Sequence, residues 1–143
     1  MMNKNRLDKI RQLSTQFRQA CQEYAWKTDD YFFRHFPKYC CGYASEMLEC
    51  YLLNNGIDNL KHVIGEKTGS QGTHAWTIIG ENLIVDITLD QFSDSFPPVY
   101  IGEPLPIHKE FSNRIIRDSE PEIGNFSVDC FYSSILHIIK KSR

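Results

Sequence analysis

The spacing of apolar residues changes once along this chain, and the change restricts the folds open to it. Before Gly56 they recur every three or four residues, as on a helix with one buried face. After Gly56 they alternate with polar residues, as on a strand with one buried face. Helices followed by consecutive short strands predict the α+β class, with the helices packed on a small antiparallel sheet.

Two helices are predicted in the first part of the chain. The first covers about residues 5–25, and the second runs from about Cys41 to Asn54. The sequence Asn54-Asn55-Gly56 follows the second helix and supplies a residue suited to the left-handed conformation that ends many helices.

The second part of the chain is predicted to form short strands and one further helix. Between the first two strands, Gly65–Gly72 has the composition of a flexible polar loop. Residues 103–124 contain three prolines and are expected to be loop, and a closing helix is expected over 131–140. The predicted strands are His62–Ile64, Thr73–Ile79, Leu83–Thr88 and, at a sheet edge because prolines precede it, Val99–Ile101.

The length and charge of the chain limit its organisation and its partners. We expect one domain over 1–143, with the core of the site in about 37–92 and a C-terminal strand, loop and helix in about 97–140. Lys and Arg total 16 against 18 Asp and Glu, so the net charge of −2 argues against nucleic-acid binding. Apolar runs fall far short of the roughly 20 residues that span a bilayer. The first residues keep charges through Arg18, unlike a secretory signal, so we expect a cytoplasmic protein without a membrane partner.

The five cysteines are expected to be reduced thiols, because their number is odd and the first residues do not resemble a secretory signal. No C-x-x-C pair occurs, so a structural zinc site has weak support. Cys21 and Cys130 are expected to be small buried hydrophobic residues. We expect no cofactor, and a metal site built from cysteine and histidine is the weakest hypothesis. No companions that suggest chemistry are found for His35, His62, His108 and His137.

Three residues with the side chains that nucleophilic catalysis needs occur in suitable settings. Cys41 is predicted at the N-terminus of the second helix, where backbone N–H groups and the helix dipole favour a thiolate and could stabilise an oxyanion. His74 opens a strand beside the Gly-rich loop, and Asp86 is a lone acid in an apolar strand, where its burial requires a partner. We predict that Cys41 is the nucleophile, His74 its general base and acid, and Asp86 the group that orients the imidazole.

The turn between the second and third strands decides whether the last two residues can meet. If Gly80-Glu81-Asn82 is a three-residue loop, with Asn82 left-handed, Ile79 faces Leu83 across the ladder. His74 and Asp86 are then diagonal neighbours on one face, within side-chain reach. A two-residue turn would place them on opposite faces.

Four short motifs resemble the transglutaminase-like branch of the papain-like superfamily of cysteine enzymes. Members of that branch show a catalytic Cys at a helix start, a small residue four positions later, a Gly-Ile that ends the helix, a His-Ala-Trp strand and an Asp-Pro-Thr strand. The resemblance covers roughly residues 37–92. The matching residues are Cys41 with Ser45, then Gly56-Ile57, His74-Ala75-Trp76 and Asp86-Ile87-Thr88. In the last of these motifs Ile87 replaces the common proline.

The resemblance implies a transglutaminase-like fold and a catalytic triad of Cys41, His74 and Asp86. It also implies that the oxyanion is held by the backbone N–H of Cys41 and by an upstream donor. In that branch a glycine is common two positions before the nucleophile, and a polar residue is common two positions after it. These positions hold Tyr39 and Tyr43 here, so a different substrate preference is expected.

The leading hypothesis is therefore a cysteine hydrolase or acyl-transfer enzyme that acts on a peptide or amide bond through a thioester. Peptidase, deamidase and transamidase activities stay open, with a peptide or protein as the expected substrate. Cys40 is the competing nucleophile, although its distance to Gly56 is one residue longer than the motif has. The alternative function is a catalytically inactive binding module with the same fold.

Overall fold

The computed structural model describes residues 2–69 and 72–142, and it has the α+β architecture that the sequence predicts. Helices come first along the chain and are followed by a five-stranded antiparallel sheet. Its helices are α1 (Lys4–Lys27), α2 (Cys41–Asn54), α3 (Pro106–Glu110) and α4 (Phe126–Lys141). Its strands are β1 (Leu60–Glu66), β2 (Thr73–Ile79), β3 (Leu83–Asp86), β4 (Tyr100–Gly102) and β5 (Asn113–Asp118).

The sheet has the strand order β4-β3-β2-β1-β5, and every neighbouring pair is antiparallel. This order puts β4 at an edge, as the prolines before it predict. It also puts β2, which carries His74, at the centre of the sheet.

The sheet separates two hydrophobic clusters. On one face α2 packs against β1 and β2, while α1 and α4 pack outside α2 and complete the main core. On the other face a smaller cluster lies between the sheet and the segment around α3; its buried members are Val63, Trp76, Ile84 and Phe111. The site described below lies beside this smaller cluster.

The turn between β2 and β3 has the predicted length. Ile79 pairs with Leu83, and this register places Asp86 at the end of β3 on the face that carries His74. The left-handed residue of the turn is Gly80, with φ of +66°, and not Asn82 as predicted. Glycine has no Cβ and takes this conformation without strain.

The strand around His62 is longer than predicted and does not stop at Gly65. β1 continues to Glu66, because Gly65 lies in the ladder opposite His74. A Cβ at Gly65 would come within 2.6 Å of the carbonyl oxygen of Phe111, so this glycine permits a close approach of two chain segments. Of the predicted Gly65–Gly72 loop, residues 70 and 71 lie outside the described residues.

The segment 103–124 is not the loop that its prolines predicted. It contains α3 and β5, and Pro106 occupies the first turn of α3, where proline fits a helix. The expectation for Cys130 was also wrong, since its side chain is exposed on α4, whereas Cys21 is buried as predicted. The closing helix begins at Phe126, several residues earlier than expected.

Among the residues that the structure describes, the helices are all too short or too polar to cross a membrane.

Candidate active site

Cys41 is the first residue of α2, and Cys40 is its N-cap residue. Cys40 makes no capping hydrogen bond with its side chain, so it does not occupy the N–H groups of the first helical turn. The start of the helix is fixed to the sheet by Ser45, whose hydroxyl donates to the carbonyl of Cys41 at 2.5 Å and lies 3.3 Å from the carbonyl of Ala75. The small residue four positions after Cys41 therefore places the thiol beside β2.

His74 is the second residue of β2, and its imidazole lies beside the thiol of Cys41, in the groove that both residues line. Its Nε2 lies 2.7 Å from Oδ2 of Asp86, so Nδ1 is the nitrogen left for the sulfur. Cys41 is partly exposed, whereas His74 and Asp86 are each about 1% exposed. The structure thus brings together the three residues that the sequence singled out, with only the thiol reaching solvent.

Asp86 is held by groups from three segments of the chain. Its Oδ1 accepts the backbone N–H of Thr88 at 3.1 Å, which fixes the carboxylate just beyond the end of β3. Its Oδ2 accepts from both His74 and His108. Because a buried carboxylate needs several donors, this arrangement compensates for its loss of water.

His108 belongs to this site, although sequence reasoning found no role for it. It lies on α3, is fully buried, and has Nε2 at 2.9 Å from Oδ2 of Asp86. The backbone N–H of Leu105 donates to its Nδ1 at 3.1 Å. Nδ1 must therefore be unprotonated, so Nε2 carries the proton that it donates to Asp86.

Two residues beyond β3 enclose the other side of His74. The amide nitrogen of Gln91 lies 3.4 Å from Nδ1 of His74, and the ring of Phe92 packs edge-on against the imidazole with centroids 4.9 Å apart. Asp90, which directly precedes Gln91, accepts two hydrogen bonds from Arg18 of α1, both at 2.8 Å. This ion pair anchors the segment that carries Gln91 and Phe92 to the helical layer.

The electrostatics of the pair favour a thiolate beside an imidazolium. Burial alone would raise the pKa of the Cys41 thiol, but the hydrogen bond and charge of His74 and a backbone hydrogen bond from Ala75 lower it below its ordinary value. Burial alone would lower the pKa of His74, but the charge and hydrogen bond of Asp86, together with the interactions of Cys41, outweigh burial and raise that pKa to about 9. Burial would likewise raise the pKa of Asp86, but the charge of His74, aided by hydrogen bonds, lowers it to about 2.

Cys40 has the opposite character. It is 2% exposed and its sulfur contacts the carbonyl of Lys38 at 3.3 Å. Burial, together with the neighbouring Cys41, raises the pKa of Cys40 to about 12. A protonated buried thiol is a poor nucleophile, so the structure favours Cys41 of the two adjacent cysteines.

Cys41 and His74 line a groove of about 250 Å³ at the start of β2. Tyr39 and Tyr43 flank the thiol on the chain, and Ile64 faces it from β1. The remaining lining residues are Cys40, Gly42, Thr73 and Ala75. Among the residues that the structure describes, those that line the groove include no Lys, Arg, Asp or Glu, so its lining is neutral.

The same buried groups raise the question of a metal. Atoms of His74, Asp86 and His108 that could coordinate an ion lie within 4.8 Å of one another, and zinc takes such ligands. However, the N–H of Leu105 occupies Nδ1 of His108, so the proton of its neutral ring sits on the nitrogen that would bind the ion. The cluster therefore fits a hydrogen-bonded network better than a metal centre.

The sequence contained one weak signal for the contribution of α3. His108 follows Leu105-Pro106, and proline at the start of a helix is a known signal, but three prolines in 103–124 suggested a loop instead. Nothing in its spacing connects His108 with Asp86, because the contact depends on how the chain returns to the sheet.

The motifs that resemble transglutaminase-like proteins supply the thiol, the imidazole and the carboxylate at this groove. The structure also gives a physical role to Ser45, the small residue of the first motif, as a link between α2 and β2. Comparisons of the chain with protein-family models, with curated proteins and with solved structures give no match.

Proposed function

We propose that this chain is a cysteine-dependent hydrolase or acyl-transfer enzyme that acts on a peptide or amide bond through a thioester at Cys41, with a transglutaminase-like core. The observation that carries the proposal is that Cys41 and His74 line one groove and that the imidazole of His74 is in turn hydrogen-bonded to Asp86. The thiol end of this arrangement opens into the groove, and the carboxylate end is buried.

In the first half-reaction the Cys41 thiolate attacks the carbonyl carbon of the substrate. The Sγ–C bond forms while the carbonyl π electrons move to oxygen, and this oxyanion faces the N–H groups that begin α2. The amide of Gln91 is the candidate for a second donor. When the oxyanion collapses, the C–N bond breaks and the imidazolium of His74 gives its proton to the leaving amine.

In the second half-reaction an acceptor attacks the thioester carbonyl. His74, now neutral, takes a proton from the acceptor, and the C–S bond breaks to regenerate the Cys41 thiolate. Water as acceptor gives peptidase or deamidase activity, and an amine gives transamidation. All three activities share the first half-reaction, so the groups at the groove serve each of them equally.

Asp86 keeps the ring of His74 in the orientation that presents Nδ1 to the sulfur. Its negative charge also stabilises the imidazolium that protonates the leaving group. Since Asp86 itself accepts from His108 and Thr88, it is held in place through the whole cycle.

Alkylation with iodoacetamide at about pH 6 tests the thiolate directly. Cys130 is an internal control, because it is an exposed thiol on α4. Peptide mass spectrometry should show Cys41 labelled much faster than Cys130, and His74→Ala should abolish the difference. Equal slow labelling of both cysteines would favour the catalytically inactive binding module.

Turnover is tested with a panel of peptide and glutaminyl substrates. Cys41→Ala should abolish release of amine or ammonia, whereas Cys40→Ala should retain most of it, since the thiol of Cys40 is buried and protonated. Activity that survives in Cys41→Ala and disappears in Cys40→Ala would contradict the assignment of the nucleophile.

A further inference from the structure

Tyr39, two residues before the proposed nucleophile, has an unusual backbone conformation. Its φ is +68°, in the left-handed region, and it is one of two non-glycine residues with positive φ in the described chain. The other, Asn59, is of a type that tolerates this region, whereas a bulky aromatic residue is a true outlier there. Such strain persists at positions where the side chain has a use that compensates for it.

The use is not burial in the core. The side chain of Tyr39 is 66% exposed, and its ring meets that of His35 edge-on with centroids 5.7 Å apart. A glycine would fit the backbone without strain, so folding alone gives little reason for tyrosine. The ring instead stands at the mouth of the groove that contains Cys41.

Two further apolar side chains complete a pocket around this ring. Tyr43 is 43% exposed on the first turn of α2, and Ile64 is 39% exposed on β1; both line the same groove. Between the tyrosines, Gly42 has no heavy atom within 4 Å of the place where a Cβ would stand, so the space beside the thiol is open. Exposed aromatic side chains that gather at one groove are typical of a binding surface.

The apolar surface continues away from the thiol along the sheet. Ile64 pairs with Ile115 of β5, which is 70% exposed and lies on the edge strand. An extended polypeptide that enters at Cys41 therefore meets apolar side chains over more than one of its residues. A small polar amide would use none of these contacts.

We propose that Tyr39, Tyr43 and Ile64 form a subsite for a large apolar side chain of a polypeptide acyl donor, next to the residue whose carbonyl Cys41 attacks. The inference rests on the proposed function, because it gives the substrate class of the same site. Tyr39 is a residue that determines specificity, since its ring contacts the neighbour of the reacting residue.

Two vinyl sulfone probes that differ in one side chain test the subsite. N-acetyl-Phe-Gly vinyl sulfone and N-acetyl-Ser-Gly vinyl sulfone both alkylate a thiolate by conjugate addition: the S–C bond forms at the β-carbon and the α-carbon takes a proton. The second-order inactivation rate of the wild type should be about 10-fold higher with the Phe probe. Tyr39→Gly should reduce this preference several-fold, and Tyr39→Phe should keep it.

Misfolding is separated from loss of the subsite by two measurements. Tyr39→Gly removes the left-handed strain, so its Tm should be at least that of the wild type. Its Cys41 should still be alkylated by iodoacetamide much faster than the exposed Cys130, which shows that the reactive thiol has formed in the variant. Phe126→Ser, which removes another exposed aromatic side chain on α4, should leave the Phe preference as it is.

The outcomes distinguish the subsite from the proposed function. Fast labelling of Cys41 by iodoacetamide without a preference for the Phe probe overturns the subsite alone, as does a preference that Tyr39→Gly leaves unchanged. Labelling of Cys41 no faster than that of Cys130 overturns the proposed function, and the subsite with it.

Discussion

Two buried carboxylates accept hydrogen bonds from histidines of the same sheet, and the sheet separates them. Asp86 bonds to His74 at 2.7 Å on one face, and Glu49 of α2 bonds to His62 at 2.8 Å on the other. All four residues are about 1% exposed. Each pair also lies beside a groove, of about 250 Å³ at His74 and about 240 Å³ at Glu49. Burial, ionisable groups and cavity volume therefore do not distinguish the two.

The difference lies in what the histidine contacts besides its carboxylate, because both oxygens of Asp86 and both oxygens of Glu49 accept hydrogen bonds. Both oxygens of Glu49 are taken, since Oε2 accepts from His62 and from Thr77 at 2.6 Å and Oε1 accepts from Ser119 at 3.0 Å. His74 instead presents its second nitrogen to a partly exposed thiol at a helix start. A buried acid–histidine pair thus indicates catalysis only when it leads to a nucleophile; otherwise it joins structural elements, here α2 and the sheet.

The largest effect is expected for Asp86→Asn. The substitution removes the charge that stabilises the His74 imidazolium, so turnover should fall by about 10³- to 10⁴-fold. The amide nitrogen of the asparagine would also face either the N–H of Thr88 or the N–H groups of the two imidazoles. A donor that faces another donor costs some stability. Steady-state kinetics on protein shown to be folded by circular dichroism checks this. A loss of less than 10-fold would mean that Asp86 is only structural, as we infer for Glu49.

Glu49→Gln is the matched change on the opposite face. The amide nitrogen would face at least one of the donors that the carboxylate now accepts, so the free energy of unfolding should fall by about 1–3 kcal/mol. Because Glu49 and His62 lie on the opposite face of the sheet from His74 and Asp86, kcat/KM of the folded variant should stay within about 3-fold of wild type. Urea denaturation measures the first quantity. A fall in kcat/KM comparable with that of Asp86→Asn would remove the distinction between the two pairs.

The parts of the site that sequence could predict are those set by local geometry. The three-residue turn fixes the register of β2 and β3, so the meeting of His74 and Asp86 followed from pleat alternation alone. The start of α2 at Cys41 followed from apolar periodicity. These inferences need only residues close together along the chain.

The parts that sequence missed depend on contacts between distant segments. His108 reaches Asp86 only because α3 packs on the sheet, and that packing relies on Phe111 lying directly against Gly65. β5 has all six residues exposed, so it lacks the apolar alternation that identifies a strand, and its pairing with β1 defines it instead. Both misses lie in 103–124, where prolines suggested loop.

His108 gives Asp86 a third hydrogen-bond donor, whereas the third donor to Glu49 is the hydroxyl of Ser119. His108→Leu should lower kcat by about 10-fold, the scale of effect for a group that holds a catalytic residue in place. Without this N–H, more of the carboxylate charge acts on His74, so the alkaline limb of the pH–rate profile should move to higher pH. His108→Gln, which can donate to Asp86 and accept from Leu105, should restore part of both. An unchanged profile with reduced stability would make His108 purely structural.

The smallest effect concerns how stability depends on pH, and it arises because the imidazole of His74 is coupled to a thiol. The pKa of His74 is raised from 6.5 to about 9, so alone it stabilises the fold fully below pH 6.5, and this stabilisation is lost as the pH rises toward 9. The pKa of Cys41 is lowered from 9.0, which has the opposite sign in the same range. In the pH range in which the folded thiol is ionised, the folded protein binds one proton on His74 and the unfolded chain binds one proton on Cys41. The two contributions to the pH dependence of stability therefore cancel.

Cys41→Ala should remove that cancellation. The folded variant then keeps one proton on His74 that the unfolded chain has lost above pH 6.5. Its free energy of unfolding should therefore fall with rising pH relative to wild type, with a slope of up to about 1.4 kcal/mol per pH unit. Without Cys41 the pKa of His74 is raised by Asp86 but is lower than in the wild type, and the fall should end at that pKa. Urea titrations of both proteins across this range, compared as differences so that other groups cancel, measure the slope. Parallel curves would show that the thiol and the imidazole do not share a proton, and the contact between Cys41 and His74 would then be no more catalytic than that between Glu49 and His62.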